Sequence, residues 1–233
     1  MREDYFIING NCSLDYGIVV KELPNISIPK KRSEEVSVLG RNGALNISDN
    51  TYELTTKTCK VYYNGENPSE LINFLQDGEV IFSNLLDRYY NAKIVSEIPI
   101  NYLFKNSEYG SWYEFNITFR CQPFGYSIYN EEIVITKKDS IIYNSTTYYS
   151  EPIITIYGDG DINLLINEQQ VTLKDINEHI TIDSEKMRSY KNLDNQNYKK
   201  IGKFPILKTG ENNISWDGSI TKIVILPNFR WII

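Results

Sequence analysis

The sequence predicts an all-β fold with one amphipathic helix, and three observations support this. Short runs rich in β-branched and aromatic residues recur along the 233 residues. Turn-forming dipeptides separate many of these runs. Apart from Arg230, the closing residues 229–233 are apolar and aromatic, although chain ends usually fray. This pattern favours β-sandwiches or barrels over a parallel α/β sheet, with the closing residues built into a sheet or against a partner.

The predicted strands follow one another along the whole chain. The clearest are residues 18–20, 58–63, 113–120, 133–136, 153–157 and 220–226. Asn-Gly and Asp-Gly dipeptides favour tight hairpin turns, and they occur at 9–10, 42–43, 64–65, 159–160 and 217–218. We therefore expect a hairpin between residues 153–157 and 162–166, and another that divides the closing stretch into two strands.

One helix is predicted near residues 67–77. Asn67 can cap it, Pro68 suits its first position, and Glu70 lies three residues after the cap. Apolar residues at spacings of three and four then share one face, namely Leu71, Phe74 and Leu75. We expect about three turns, ended near residue 78 and laid on a sheet. Residues 184–187 are a weaker candidate for a single turn.

A domain boundary is predicted soon after the strand that ends at Arg120. Pro123 and Gly125 stop that strand, and a new β-rich run begins near Glu132. The sequence thus divides into an N-terminal domain, residues 1–129, and a C-terminal domain, residues 130–233. No repeat or low-complexity linker separates them, so we expect a close junction.

Charge and hydropathy exclude some classes of protein. The net charge of -6 argues against a sequence-specific nucleic-acid binder, which usually has a basic face. The sequence has no run of about 18 apolar residues, so no transmembrane helix is predicted. The N-terminus lacks the apolar segment of a signal peptide, so we expect the protein to be made and kept in a cytoplasm unless it leaves within an assembly.

No metal or cofactor site is predicted. The three cysteines, Cys12, Cys59 and Cys121, are widely spaced and odd in number, which indicates buried free thiols rather than a zinc site. The stretch from Asp159 resembles a calcium loop only superficially, because the glycine and acid that such a loop needs at its sixth and twelfth positions are missing. A hairpin turn is the simpler interpretation.

The sequence also predicts no enzyme. Its single histidine, His179, lies in a predicted strand, and no G-x-S-x-G motif is present. Residues 39–43 hold two glycines but lack the ending of a phosphate-binding loop. The carboxylates are scattered among turns, so a cell-wall hydrolase remains only a minor alternative.

Read in order, several segments carry a family resemblance. They are residues 5–10, 15–17, 32–38 with 40–43, the capped helix ending at 75–78, and residues 89–93, 119–126, 182–185 and 204–233. Together they resemble the distal tail protein family of long-tailed bacteriophages, nearly from end to end. Each fragment is moderately specific, and the ordered set is more specific than any one of them.

The resemblance implies a structural role in a phage or a phage-tail-like particle. The N-terminal domain would be a β-sandwich with a helix and an extended hairpin, and the C-terminal domain a galectin-like β-sandwich. Six N-terminal domains would form a ring, a homo-hexamer that joins the tail tube to the tail tip or baseplate and lets DNA pass. Partners would be the tail tube protein, the tape measure protein, the tail-tip hub protein and receptor-binding proteins. The location would be the virion tail tip, after assembly in the bacterial host cytoplasm.

The resemblance and the sequence together single out a candidate subunit interface. Val36 and Val38 alternate beside charged residues, and Leu39, Arg41 and Asn42 follow them. Alternation suits strand addition or packing on a neighbouring subunit, while an ordinary surface hairpin explains the pattern equally well. We also expect the ring's lumen to be neutral or acidic, because such a surface repels DNA phosphates.

Carbohydrate binding is the alternative function. The C-terminal domain would act as a carbohydrate-binding module for host attachment, and its candidate stacking residues are Tyr148, Tyr149, Tyr157 and Tyr190. Tyrosine in sheets more often serves packing. At 233 residues the chain has no room for the inserted sugar-binding modules of larger family members. The same resemblance makes residues 231–233 the last packed edge of the C-terminal domain.

Overall fold

The computed structural model describes residues 3–233, and their contacts define two compact units. The first unit runs to Gly125 and includes Ile232–Ile233, and the second is Tyr126–Trp231. Strands make up 55% of the structure and helices 6%, so the all-β prediction is confirmed. Each unit has its own apolar core. The ring-forming domain 1–129 and the galectin-like domain 130–233 stay predictions, because compactness alone does not define either role.

Among the described residues, the first unit contains ten strands. In chain order these are β1 Phe6–Ile8, β2 Asn11–Cys12, β3 Ile18–Glu22, β4 Glu34–Ser37, β5 Ala44–Ile47, β6 Thr55–Asn64, β7 Gly78–Phe82, β8 Arg88–Ile94, β9 Asn101–Asn106 and β10 Gly110–Cys121. Seven form one sheet in the order β2-β1-β7-β8-β10-β6-β3, and β9 pairs with β10. Alternate residues of β6 are buried, which is the period-2 pattern of a strand with one face on a core.

The predicted helix is present but shorter than expected. Asn67 caps it by accepting a hydrogen bond from the Ser69 amide at 3.1 Å, as predicted. A 3-10 turn, Pro68–Glu70, then leads into a single α-helical turn, α1, Leu71–Phe74. The prediction of three turns is wrong because the chain leaves helical geometry at Leu75 and enters β7 at Gly78. Another 3-10 turn covers Ser13–Tyr16.

The second unit is also built on antiparallel strands. They are β11 Gly125–Ser127, β12 Ile133–Ile135, β13 Ser140–Asn144, β14 Ile153–Ile166, β15 Gln169–Ile176, β16 His179–Asp183, β17 Arg188–Lys191, β18 Asp194–Asn195, β19 Lys200–Ile201, β20 Gly210–Leu226 and β21 Arg230–Trp231. The main sheet has the order β12-β20-β14-β16-β17-β18; β13 joins β20, β15 joins β14, and β19 joins β15. The strands β11 and β21 pair with each other, and a 3-10 turn spans Asn197–Lys199.

Two predicted hairpin turns are wrong, because both dipeptides lie inside long strands. The first, at residues 159–160, lies within β14, and the second, at residues 217–218, lies within β20. The two strands pair along most of their length, and the register shifts where these dipeptides approach one another. Gly160 and Gly218 have φ angles of 77° and 110°, so each glycine supports a bulge instead of a turn.

The other predicted turns had mixed outcomes. Residues 9–10 do connect β1 and β2, with positive φ at both positions, and residues 42–43 lie in the loop between β4 and β5. Residues 64–65 instead lead from β6 towards the helix. The predicted helical turn at 184–187 is a tight turn between β16 and β17.

The last residues of the chain do not all belong to the second unit, contrary to expectation. Ile232–Ile233 group with the first unit. There the Ile233 carbonyl accepts hydrogen bonds from the Arg88 guanidinium at 3.1 Å and from the Tyr90 hydroxyl at 2.9 Å. The closing stretch is therefore packed, as predicted, but its end lies in the other unit.

The cysteines are free thiols. Cys59 and Cys121 are buried on β6 and β10, and Cys12 is half-buried. Burial raises the pKa of both Cys59 and Cys121 to about 12, since an apolar environment disfavours the thiolate. Their contribution to the first unit is therefore apolar packing.

Candidate subunit interface

An exposed hairpin extends from the first unit between β3 and β6. We call residues 31–52 the arm; β4 and β5 pair only with each other and form its two-stranded sheet. Backbone hydrogen bonds hold its root, from the Arg32 amide to the Thr51 carbonyl at 2.9 Å and from the Glu53 amide to the Lys30 carbonyl at 2.8 Å. The root is thus anchored while the rest of the arm projects.

The arm has one apolar and one polar face. Val36 lies opposite Leu45, so their side chains share a face with those of Glu34 and Ile47. The other face holds Glu35, Ser37, Ala44 and Asn46. Leu45 is 39% exposed and Ile47 is 52% exposed, so this apolar face is largely uncovered.

The tip of the arm carries the other predicted interface residues. Val38 is 43% exposed and Leu39 is fully exposed. The Arg41 amide donates to the Val38 carbonyl at 3.1 Å, which closes the turn, and Arg41 and Asn42 are also exposed. The structure therefore places Val36, Val38, Leu39, Arg41 and Asn42 on one hairpin, while their role in an interface stays a prediction.

Physical chemistry disfavours such an arm standing alone. A two-stranded hairpin is marginally stable in water, and burial of apolar side chains normally supplies the missing stability. Neither core cluster includes the apolar face of the arm. An arm with a fixed root and an uncovered apolar face is suited to packing on another molecule.

A second exposed surface was not predicted from the sequence. The strand β9 pairs with β10 alone within residues 3–233, so its other edge is free. Three of its side chains are large and exposed, namely Tyr102, Leu103 and Phe104. A signal was present in the uncharged run 101–104, but only the pairing shows that this run lies at an edge.

The predicted stacking tyrosines are half-buried and engaged with other groups. The rings of Tyr148 and Tyr149 lie 4.4 Å apart, and the Arg230 guanidinium lies 5.6 and 5.0 Å from their centroids. Lys222 lies 4.5 Å from the Tyr157 ring, and Arg188 lies 4.9 Å from the Tyr190 ring. Each ring therefore already has a cationic neighbour, which suits packing.

His179 lies at the start of β16, in a strand as predicted. Its ring packs 5.7 Å from that of Tyr157, and the cavity of about 160 Å³ beside it has no hydroxyl or thiol side chain among its described lining residues. Among residues 3–233, no group of three potential metal ligands is found. In the same part of the chain, no helix has the length and hydropathy needed to cross a membrane.

The described residues thus form two all-β units, and the first carries a projecting arm. The chain is similar to the crystal structure of SPP1 Dit (gp 19.1), described as a paradigm of the hub adsorption apparatus in phages that infect Gram-positive bacteria. The TM-score is 0.71 at 13% identity, over 96% of this chain and 98% of that one. No family model matches the sequence, and no curated protein matches it. The all-β fold implied by the resemblance is thus confirmed, while the galectin-like character of the second unit stays a prediction.

Proposed function

We propose that this chain is a structural hub protein of a phage or phage-tail-like particle. Six copies form a ring that joins the tail tube to the tail tip or baseplate and leaves a passage for DNA. The end-to-end fold similarity to SPP1 Dit supports the class of protein. The observation that carries the mechanism is the arm, whose anchored root and uncovered apolar face suit contact with a second subunit.

A ring of identical subunits needs two different complementary surfaces on each copy. Repeating one head-to-tail contact by rotation closes the assembly without leaving a free surface. The arm supplies one of these surfaces, because Val38 and Leu39 project from its tip. Packing on a neighbour would remove their apolar side chains from water and stabilise the hairpin and the ring together.

Partners and location follow from the same proposal. The ring binds the tail tube protein on one side and the tail-tip hub protein on the other, close to the tape measure protein. Receptor-binding proteins attach at the outside. The particle is assembled in the host cytoplasm, and the hub functions at the virion tail tip without enzymatic activity.

Passage of DNA requires a lumen that does not retain phosphate groups. The chain has an excess of acidic residues and a net charge of -6. A neutral or acidic lumen would let DNA slide, because a basic surface would release counterions and bind the backbone. A density map of the ring with a strongly basic lumen would refute this part of the proposal.

Native mass spectrometry of the full chain tests the ring. The wild type should give a species of about six copies, and Val38→Asp with Leu39→Asp should remove it, since two carboxylates would then be placed in an apolar contact. Leu193→Asp is a matched control, because Leu193 is also fully exposed but lies in the second unit. A ring unchanged by the arm substitutions would sink the arm's role, and a wild type without oligomers would sink the ring.

A further inference from the structure

Two free strand edges in the first unit have complementary chemistry. One is the outer edge of β4 on the arm, since β4 pairs with β5 alone, and the other is the outer edge of β9. An unpaired edge is a template for strand addition from another chain. Among residues 3–233, neither edge has a second strand as its partner.

The edge of β9 is selective. Residues 101–104 carry no charge, and Leu103 has no partner on β10 because the register shifts beside it. Lys105 follows, 3.3 Å from Glu66 in an exposed ion pair, and Glu108 lies in the next turn. Bulges and lysines at a sheet edge disfavour the addition of an arbitrary strand from another chain. We therefore expect a strand that pairs with β9 to carry complementary charges.

The β4 side of the arm carries that complementary pattern in reverse order. Its root is charged, with Lys31, Arg32, Glu34 and Glu35, and its outer end is uncharged, with Val36, Ser37 and Val38. Laid antiparallel to β9, Glu34 lies opposite Lys105, and Lys31 reaches the turn that holds Glu108. Val36 then lies opposite Leu103, while Glu35 and Ser37 lie opposite the aromatic residues Phe104 and Tyr102. A parallel arrangement would instead place both Glu34 and Glu35 against the uncharged run and leave Lys105 without a carboxylate opposite it.

We propose that β4 of one copy pairs antiparallel with the edge of β9 in a second copy, with Glu34 opposite Lys105. The contact is head-to-tail, so it propagates around a ring. Cross-strand pairs of opposite charge and of apolar side chains then stabilise it. This inference rests on the proposed ring and identifies the surface that receives the arm.

Charge exchange tests the proposed register. Glu34→Lys and Lys105→Glu should each abolish the oligomer at a concentration that fully assembles the wild type, since like charges then face each other. The double variant should restore it. Glu66→Gln is the control for the exposed ion pair within the subunit, and it should leave assembly unchanged.

Disulfide trapping provides a second, independent readout. The double variant Val36→Cys with Leu103→Cys should give a ladder of covalent oligomers under mild oxidation, because paired strands bring Cα atoms within bridging distance. Val36→Cys with Leu193→Cys should give no ladder, and the single variants control for the half-buried Cys12.

The outcomes separate this contact from the ring itself. An assembled wild type with neither charge rescue nor a ladder overturns the contact and leaves the ring standing. Covalent dimers from Leu103→Cys alone overturn it in favour of symmetric pairing between two β9 edges. A wild type that stays monomeric at every concentration overturns the proposed ring and this contact with it.

Discussion

Two antiparallel ladders in this chain use similar side chains in opposite environments. The ladder of β14 with β20 has an apolar face that belongs to the second core, where Ile156 and Ile223 are fully buried. The ladder of β4 with β5 also has an apolar face, but Leu45 and Ile47 remain exposed. The first ladder satisfies its apolar face within the chain, and the second does not.

The difference separates folding from assembly. Substitutions in the first ladder should change the free energy of unfolding, since burial within the chain supplies much of its stability. Substitutions in the second should change association, because in the proposed ring its apolar side chains would gain burial from another copy. Measurements on purified chains test this separation.

The largest effect is expected from Ile156→Ala. Removing a fully buried isoleucine side chain leaves a cavity and should lower the free energy of unfolding by about 2–5 kcal/mol. Urea unfolding followed by circular dichroism measures the change. Val36→Ala is the matched control on the arm, and an equal loss there would break the comparison.

The bulge between β14 and β20 should be nearly as sensitive. A Cβ at Gly218 would lie 2.5 Å from the Asp161 carbonyl oxygen, whereas a Cβ at Gly160 would meet nothing within 4 Å. Both glycines have positive φ, so Gly160→Ala should cost about 1 kcal/mol and Gly218→Ala roughly 2 kcal/mol more. Equal losses in urea unfolding would show that the strands separate easily at the bulge.

A buried lysine should give a smaller effect of opposite sign. Lys57 is buried on β6 with its Nζ 4.4 Å from the Tyr90 ring, and burial lowers its pKa, with the charge of Arg88 acting in the same direction. Lys57→Met should therefore stabilise the first unit by about 1 kcal/mol at neutral pH.

The pH dependence of the Lys57 effect has a definite sign. The folded-state pKa lies below the unfolded value, so the unfolded chain binds this proton more tightly. The destabilisation is fully present below the folded pKa and disappears as the pH rises towards 10.5. The gain from Lys57→Met should shrink over that range in urea unfolding, and a constant gain would assign it to packing alone.

The smallest effect on unfolding is expected at the tip of the arm. Leu39→Asp changes a fully exposed side chain, so the free energy of unfolding should stay within about 0.5 kcal/mol. The same sample, kept under assembly conditions, should lose its oligomer. A loss of stability without a loss of assembly would reverse the assignment of the arm.

The sequence predicted positive φ angles better than it predicted whether the chain reverses direction there. Asp-Gly and Asn-Gly dipeptides indicate positive φ, which occurs both in hairpin turns and in bulges. Residues 9–10 form the predicted turn, but residues 159–160 and 217–218 lie inside strands because each faces the other across a ladder. That choice depends on pairing between segments far apart in sequence, which local patterns do not contain.

Of the two surfaces in the proposed contact, only the arm was predictable from the sequence. Alternation at Val36 and Val38 beside a turn indicated an exposed hairpin, and the structure has one. The edge of β9 was missed because its aromatic residues also fit a buried strand, and its exposure depends on having β10 as its neighbour on one side only. Edges are a property of the sheet, so they follow from topology.

The buried thiols of the first unit have a consequence for durability. Because burial raises the pKa of Cys59 and Cys121 to about 12, both thiols stay protonated at neutral pH. Because oxidants attack the thiolate, burial protects both residues from oxidation. The chain can therefore pass from a reducing to an oxidising environment with these two positions protected by burial.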